Sequence, residues 1–285
     1  MLNGSTKILG VIGNPIHHSK SPQMHNAAFN HLNLNYIYIP FLVEKTQIET
    51  CMASLKSNNI SGINVTVPFK ESVIPFLDKI DPLAKKIGAV NTIVNKNGVL
   101  TGYNTDGYGL ISDLSINKIS LSNKSIAILG AGGSSKSICF SLLEQNITSL
   151  LILNRTVEKA ERLKFNLIDS MNNDITNIPI ETGSLSSVID EKTLEKYDII
   201  INTTSVGLND NSTIFPTDNW SNQNQIVYDI IYSPPETNFL KQARLKGAKT
   251  LNGLGMLVGQ GALAFKKFTS HDAPFDIMYN EVKKC

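Results

Sequence analysis

The stretch that decides the fold is Ser125-Ile-Ala-Ile-Leu-Gly-Ala-Gly-Gly-Ser-Ser-Lys-Ser-Ile-Cys-Phe-Ser-Leu-Leu-Glu-Gln145. Ser125 to Leu129 reads as a buried strand, Gly130 to Gly133 follow without a spacer, and a helix, Ser134 to Gln145, begins where the glycines stop. Strand, glycine turn and helix in that order form a dinucleotide-binding turn. Glycine lets the backbone bend tightly and approach a pyrophosphate, whose charge meets the N–H groups and positive dipole end of the helix. The third glycine of the usual spacing is replaced by Ser135, small enough to keep the helix close to the strand. Gly130, Ala131, Gly132, Gly133 and Ser134 are the candidate cofactor residues of the turn.

Moving C-terminally, the strand Ser149 to Leu153 ends in Asn154-Arg155-Thr156. An NAD enzyme places an acid there to hold the ribose hydroxyls. Arg155 instead offers a planar, permanently charged fork suited to a 2′-phosphate, which favours NADP(H). Lys159 falls in the first turn of the following helix, where the dipole disfavours a cation; a nearby phosphate would account for it, and so would plain solvation. Strands Asp198 to Ile201 and Ile226 to Ile230 complete the domain, so the loop Asn202 to Gly207, with Thr203 and Ser205, and Tyr232 lie at carboxyl ends of strands, where open α/β sheets bind ligands.

Moving N-terminally, strands at Lys7 to Ile12, Tyr36 to Leu42 and Gly62 to Val67 alternate with helices. One helix starts at Pro22 with Ser21 as N-cap, one at Thr46 with Glu49 closing a capping box and reaching about Ser57, and one at Asp81-Pro82. Asn97-Gly98 joins Val90 to Asn95 and Val99 to Gly102 as a hairpin. The pattern predicts two α/β domains, an open mainly parallel one followed by a Rossmann-type one, with the boundary within Asp106 to Lys124. At element ends of the first lie Asn64-Val-Thr-Val-Pro-Phe-Lys70, Asn91-Thr92 and Asn104-Thr105-Asp106. Each Asn or Thr alone is more often a turn former, but three such clusters suit a polyhydroxylated ligand.

The chain has 285 residues, enough for two cores, with a formal net charge of +2 and 18% charged residues, which argues against a nucleic-acid partner. Cys51, Cys139 and Cys285 show no disulfide or zinc spacing and read as reduced cytosolic thiols. No apolar run approaches a membrane span, and Gly10, Gly13 and Pro15 interrupt the first one before a signal core forms. His17, His18 and His25 match no metal spacing, no metal is expected, and all three read as ordinary loop and helix residues.

These residues together resemble the shikimate dehydrogenase family. The resemblance is carried nearly end to end by His18-Ser-Lys-Ser-Pro22, Asn64 to Lys70, Ala89-Val-Asn-Thr92, Asn104-Thr-Asp-Gly107, the glycine turn, Asn154-Arg-Thr156 and Gly253-Leu-Gly-Met-Leu-Val-Gly-Gln260. It implies reversible reduction of 3-dehydroshikimate by NADPH in the chorismate route to aromatic amino acids, with Lys70 and Asp106 in the acid/base roles. By the same resemblance Ser19, Ser21, Asn64, Thr66, Asn91, Tyr232 and Gln260 would hold substrate with Lys70 and Asp106, while Ile230, Gly253 and Met256 would lie by the cofactor. A substrate domain of 1–106 plus 253–285 and an NADP domain of 107–252 follow, with the last helix, from about Gly255, returning to the first domain; a homodimer is compatible.

The three arginines, Arg155, Arg162 and Arg244, all lie in the second half, so the first has none to clamp a carboxylate. Ser19 and Ser21 at a helix N-terminus would substitute through hydroxyls and dipole. A carboxylate at Asp106 favours the charged form of Lys70, matching it to proton delivery in the reductive direction. Two rivals stand beside this expectation: a broader quinate/shikimate dehydrogenase using NAD, against which Arg155 argues, and a non-catalytic NADP sensor, against which the presence of Lys70 and Asp106 argues.

Overall fold

In the computed structural model, which describes residues 2–57, 60–170, 178–187, 193–208, 210–215 and 221–284, the chain divides into two compact units. One comprises residues 1–110 with 257–285, the other residues 111–256.

The first unit contains β1 (Lys7–Gly13), α1 (Ser21–His31), β2 (Tyr36–Leu42), α2 (Ile48–Ser57), β3 (Ile60–Val65), β4 (Lys79–Ile80), α3 (Pro82–Ile87), β5 (Thr92–Lys96) and β6 (Val99–Tyr103). Its sheet runs β2-β1-β3-β5-β6-β4. Strand β1 pairs in parallel with both β2 and β3, whereas β5 is antiparallel to β3 and β6. Because the chain goes from β1 to β2 on one side and then crosses to β3 on the other, the order reverses between β1 and β3. The carboxyl ends of such a strand pair form the ligand crevice of open α/β sheets. A core of Ile12, Ile63, Val65, Phe69, Ile93 and Leu100 lies beneath. Asn97 and Gly98, with φ of 54° and 83°, supply the left-handed pair that the β5–β6 hairpin requires.

Two local expectations are corrected. Ser21 is the first residue of α1 rather than its cap; Lys20 occupies the N-cap and no side chain caps it. The segment before α2 is a single 3-10 turn, Lys45–Gln47, closed by a reciprocal box between Glu44 and Gln47 instead of Thr46 and Glu49. Both pairs have the right three-residue spacing, and tertiary packing chose between them. For α3, in contrast, Asp81 accepts from the Leu83 N–H as its sequence position suggests.

Helix α4 (Asp106–Ile116) leads into the second unit, built from β7 (Ser125–Leu129), α5 (Gly133–Leu143), β8 (Ser149–Asn154), α6 (Val157–Ser170), β9 (Ile180–Ser184), β10 (Ile199–Asn202), β11 (Ile226–Asp229), α7 (Asn238–Leu245) and β12 (Lys249–Leu251). Its sheet runs β12-β11-β10-β7-β8-β9, every described pair parallel. That is the doubly wound Rossmann order, with the switch point between β7 and β10. Strands β7 and β10 are buried along nearly their whole length, as a sheet covered on both faces demands. Helix α8 (Leu254–Thr269) then runs out of this unit and is followed by α9 (Phe275–Lys284), so the helix near Gly255 is not the last one; α9 packs on α1 within the first unit. Among the described residues, no helix is long and apolar enough to cross a membrane.

Candidate active site

In the second unit the glycine turn sits at the switch point. Gly130 has φ of 113°, which only glycine adopts cheaply, and a side chain there would come within 2.6 Å of the Thr203 hydroxyl. Gly132, by contrast, has nothing within 4 Å of where a side chain would begin, leaving open space over the start of α5. Ser135, at the third fingerprint position, is fully buried. Its hydroxyl accepts from the Gly132 N–H at 3.1 Å and lies 2.6 Å from Thr203 Oγ1, which donates to the Leu129 carbonyl at 2.7 Å. Serine thus ties the turn to the end of β10, a bond no third glycine could make. The first-turn amides of α5, Gly133 and Ser134, have no carbonyl a turn earlier within the helix and face the open end. This cradle fits a pyrophosphate. At the end of β8 the Asn154 amide donates to the Thr156 carbonyl at 2.9 Å, while Arg155, Thr156 and Lys159 are exposed. Ser205 is exposed, Ile230 and Tyr232 are half-buried just past β11, and Gly253 and Met256 are buried. A side chain at Gly253 would collide with the Ile230 carbonyl, 1.9 Å away, so glycine there is a packing requirement.

One carboxylate in this unit escaped sequence reasoning. Asp229, fully buried at the end of β11, accepts from Asn202 Nδ2, the Ile231 N–H and the Thr237 hydroxyl. Burial outweighs those bonds and lifts its pKa to about 6.

In the first unit, the three polar clusters form one connected row. Asn64 in β3 stands opposite Thr92 in β5, and its amide nitrogen donates to Thr92 Oγ1 at 3.0 Å and the Asn91 carbonyl at 3.1 Å. Thr92 Oγ1 donates to Asn91 Oδ1 at 2.9 Å, and Asn91 Nδ2 donates to Asp106 Oδ1 at 2.7 Å and Thr105 Oγ1 at 2.9 Å. The row ends in the ion pair Lys70 Nζ–Asp106 Oδ2, 2.6 Å long, with side chains 14% and 8% exposed. Asn104 fixes the entrance to α4 by accepting from the Asp106 N–H, and the Lys70 carbonyl is anchored by Val90 N–H. Gln260 Oε1, on α8, lies 3.5 Å from Asn91 Nδ2. Thr66 is half-buried just beyond β3, its N–H bonded to the Ile12 carbonyl. Ser19 Oγ accepts from the Ser21 N–H at 3.3 Å.

Asn64, Lys70, Asn91, Asp106 and Gln260 are thus brought into one cluster, whereas Tyr232 belongs to the second unit. Tyr38 was not singled out from the sequence. It is 1% exposed and its hydroxyl donates to Asn64 Oδ1 at 2.7 Å; an aromatic hydroxyl facing a core always needs such a partner, and that is the signal available beforehand.

A Rossmann-order sheet with a glycine turn at its switch point, and a second α/β unit presenting a lysine–carboxylate pair, define a dinucleotide-dependent oxidoreductase. Comparison with known proteins makes that specific. Residues 11–93 match the shikimate dehydrogenase substrate binding domain, 113–209 the shikimate/quinate 5-dehydrogenase domain and 253–283 the shikimate 5'-dehydrogenase C-terminal domain. The shikimate dehydrogenase (NADP(+)) of Alkaliphilus metalliredigens is 42% identical over 280 residues, 96% of each chain. A shikimate dehydrogenase crystallised with NADP+ superposes with a TM-score of 0.91 at 39% identity, covering 100% of this chain and 97% of that one. The Thermus thermophilus enzyme, crystallised with NADP(H) and shikimate, gives a TM-score of 0.86 at 29% identity over 98% and 99% of the two chains. The chain belongs to the shikimate dehydrogenase family.

Proposed function

We propose that this protein reduces 3-dehydroshikimate reversibly to shikimate with NADPH, the step that feeds aromatic amino acid biosynthesis. The observation that carries the reading is the ion pair Lys70–Asp106 at the end of the amide row. Bound NADPH supplies the hydride. Lys70 delivers a proton to the ketone oxygen as it gains negative charge, and Asp106 holds the ammonium in place from the opposite side. In the oxidative direction the pair takes that proton back as one coupled unit. Asn64, Thr66, Asn91, Gln260 and Tyr232 are assigned to the substrate's hydroxyls. Ser19 and Ser21, before and at the start of α1, are assigned to its carboxylate. Mutating both serines to alanine is expected to raise the shikimate KM by about tenfold or more, two hydrogen bonds to a charged group being lost; an unchanged KM would discard this assignment.

The cofactor reading assigns the pyrophosphate to Gly130–Ser134, the 2′-phosphate to Arg155 with Asn154, Thr156 and Lys159, and the nicotinamide end to Thr203, Ser205, Ile230, Gly253 and Met256. Support comes from the open space at Gly132 and the exposed guanidinium of Arg155. Arg155→Ala should raise the KM for NADPH by about 10- to 100-fold, since a charge-assisted bidentate contact disappears, while NADH kinetics stay as they were. Equal loss with both cofactors would instead point to a structural role. Unbridged Cys51 and Cys139 fit the reducing cytosol assigned to this enzyme.

A further inference from the structure

The polar row has a fixed proton sense, because it is anchored by two backbone groups that cannot reverse roles. The Asn91 carbonyl can only accept, so the Asn64 amide nitrogen must face it. The Thr105 N–H can only donate, so the oxygen of the Asn91 side chain must face it, at 2.9 Å. Everything between follows. With its nitrogen turned to Asn91 and Thr92, Asn64 presents its oxygen to Tyr38, and the tyrosine hydroxyl must donate. Thr92 Oγ1 receives one N–H from Asn64, so its own proton goes to Asn91 Oδ1. Asn91 Nδ2 then points at Asp106 Oδ1, and the Lys70 ammonium at Oδ2, so Asp106 accepts on both oxygens.

Two buried residues complete the row without reaching a ligand. Tyr38 is 1% and Thr92 0% exposed. Tyr38 is gripped by the Asn26 side chain, which donates to its carbonyl at 2.8 Å and accepts from its N–H at 2.9 Å. Its ring is stacked on His25, centroids 4.4 Å apart and planes 9° from parallel.

We propose that Tyr38 and Thr92 are positioning residues that hold Asn64 and Asp106 as acceptors and Lys70 as the proton donor. A substrate hydroxyl reaching Asn64 must therefore donate to it, because both amide hydrogens are already committed. This rests on the reading above that the row binds shikimate. Loss of Thr92's hydroxyl leaves Asn91 Oδ1 held by Thr105 alone and loosens the amide that faces Asp106; loss of Tyr38's leaves the Asn64 oxygen without its donor, so only the amide nitrogen's bonds hold that side chain.

The test combines kinetics with neutron diffraction. Thr92→Val should lower kcat about tenfold or more and move the pH profile of kcat, with NADPH affinity unchanged, while Thr92→Ser, which keeps the hydroxyl, behaves as the parent. Tyr38→Phe should act mainly on shikimate KM, raising it by about tenfold, with little change in kcat. Equal losses in Thr92→Val and Thr92→Ser, or an unmoved pH profile in the valine variant, would overturn the proposal. Should Thr92→Val not fold, the neutron map of the parent protein decides: deuterium on Tyr38 Oη aimed at Asn64 and on Thr92 Oγ1 aimed at Asn91 is required, and deuterium on Asp106 would refute it. A parent protein inert towards shikimate would instead overturn the reading of the site, with the map still reporting the proton sense.

Discussion

Lys70→Ala is expected to lower kcat about 10³-fold while leaving the shikimate KM within about threefold. A positioned acid contributes between about 10² and 10⁴ to a proton transfer, the role proposed for Lys70, whose Nζ lies 2.6 Å from Asp106 on a side chain 14% exposed. Alanine also strands a carboxylate. Asp106 would keep its bond from Asn91 but lose its counter-ion, and leaving a buried charge unpaired is costly. Lys70→Met strands the carboxylate as alanine does but retains the stem, and so separates loss of the ammonium from loss of packing: it should be as inactive as alanine yet retain NADPH affinity. Asp106→Asn should lower kcat comparably, since an amide cannot accept on both sides from Asn91 and Lys70. Initial rates from NADPH absorbance decide the matter, and a near-normal kcat in Lys70→Met would remove Lys70 from the chemistry.

His25→Phe is expected to remove most of the acid sensitivity of the first unit. His25 is fully buried, neither ring nitrogen has a described partner, and it lies among Tyr38, Phe29, Phe265 and Phe268. Desolvation lowers its pKa from 6.5 to about 3. Above pH 6.5 the ring is neutral folded or unfolded and its contribution is fully present. As pH falls from 6.5 towards 3 only the unfolded chain takes the proton, so stability is lost at up to about 1.4 kcal/mol per pH unit. Phenylalanine keeps the stack and cannot titrate. Asp229 works in the opposite direction within the second unit: with a pKa raised from 3.8 to about 6, its contribution is full below 3.8 and is lost as pH rises to 6. Hydrogen exchange, which resolves the two units, should therefore show first-unit amides losing protection between pH 6.5 and 4.5 in the parent but not in His25→Phe. An identical pH slope in both proteins would mean that other groups govern the acid response.

Read as an ordinary helix residue, His25 shows how much a sequence withholds. Its neighbours in the chain, Met24 and Asn26, carry no sign that Phe265 and Phe268, some 240 residues on, will enclose it. The same holds for Tyr38, which became part of the site only when β2, β1 and β3 came side by side.

What the sequence determined by itself was local or nearly so. The strand-turn-helix around Gly130, the Asn97-Gly98 hairpin and the Asp81 cap depend on backbone preferences of a few adjacent residues, and Arg155 where an acid would stand bears on the cofactor by charge alone. Thr46 fails as a cap because Glu44 and Gln47 satisfy the same short-range rule and only packing selects one pair, whereas α1 begins one residue earlier than its proline suggests, with Ser21 inside it and no side chain capping it. The tertiary structure alone decided how Asn64, Thr92, Asn91 and Asp106 are wired together. Hydrogen bonds act over about 3 Å, so contacts between residues 15 to 28 positions apart, and the proton sense they impose, exist only after the sheet has formed.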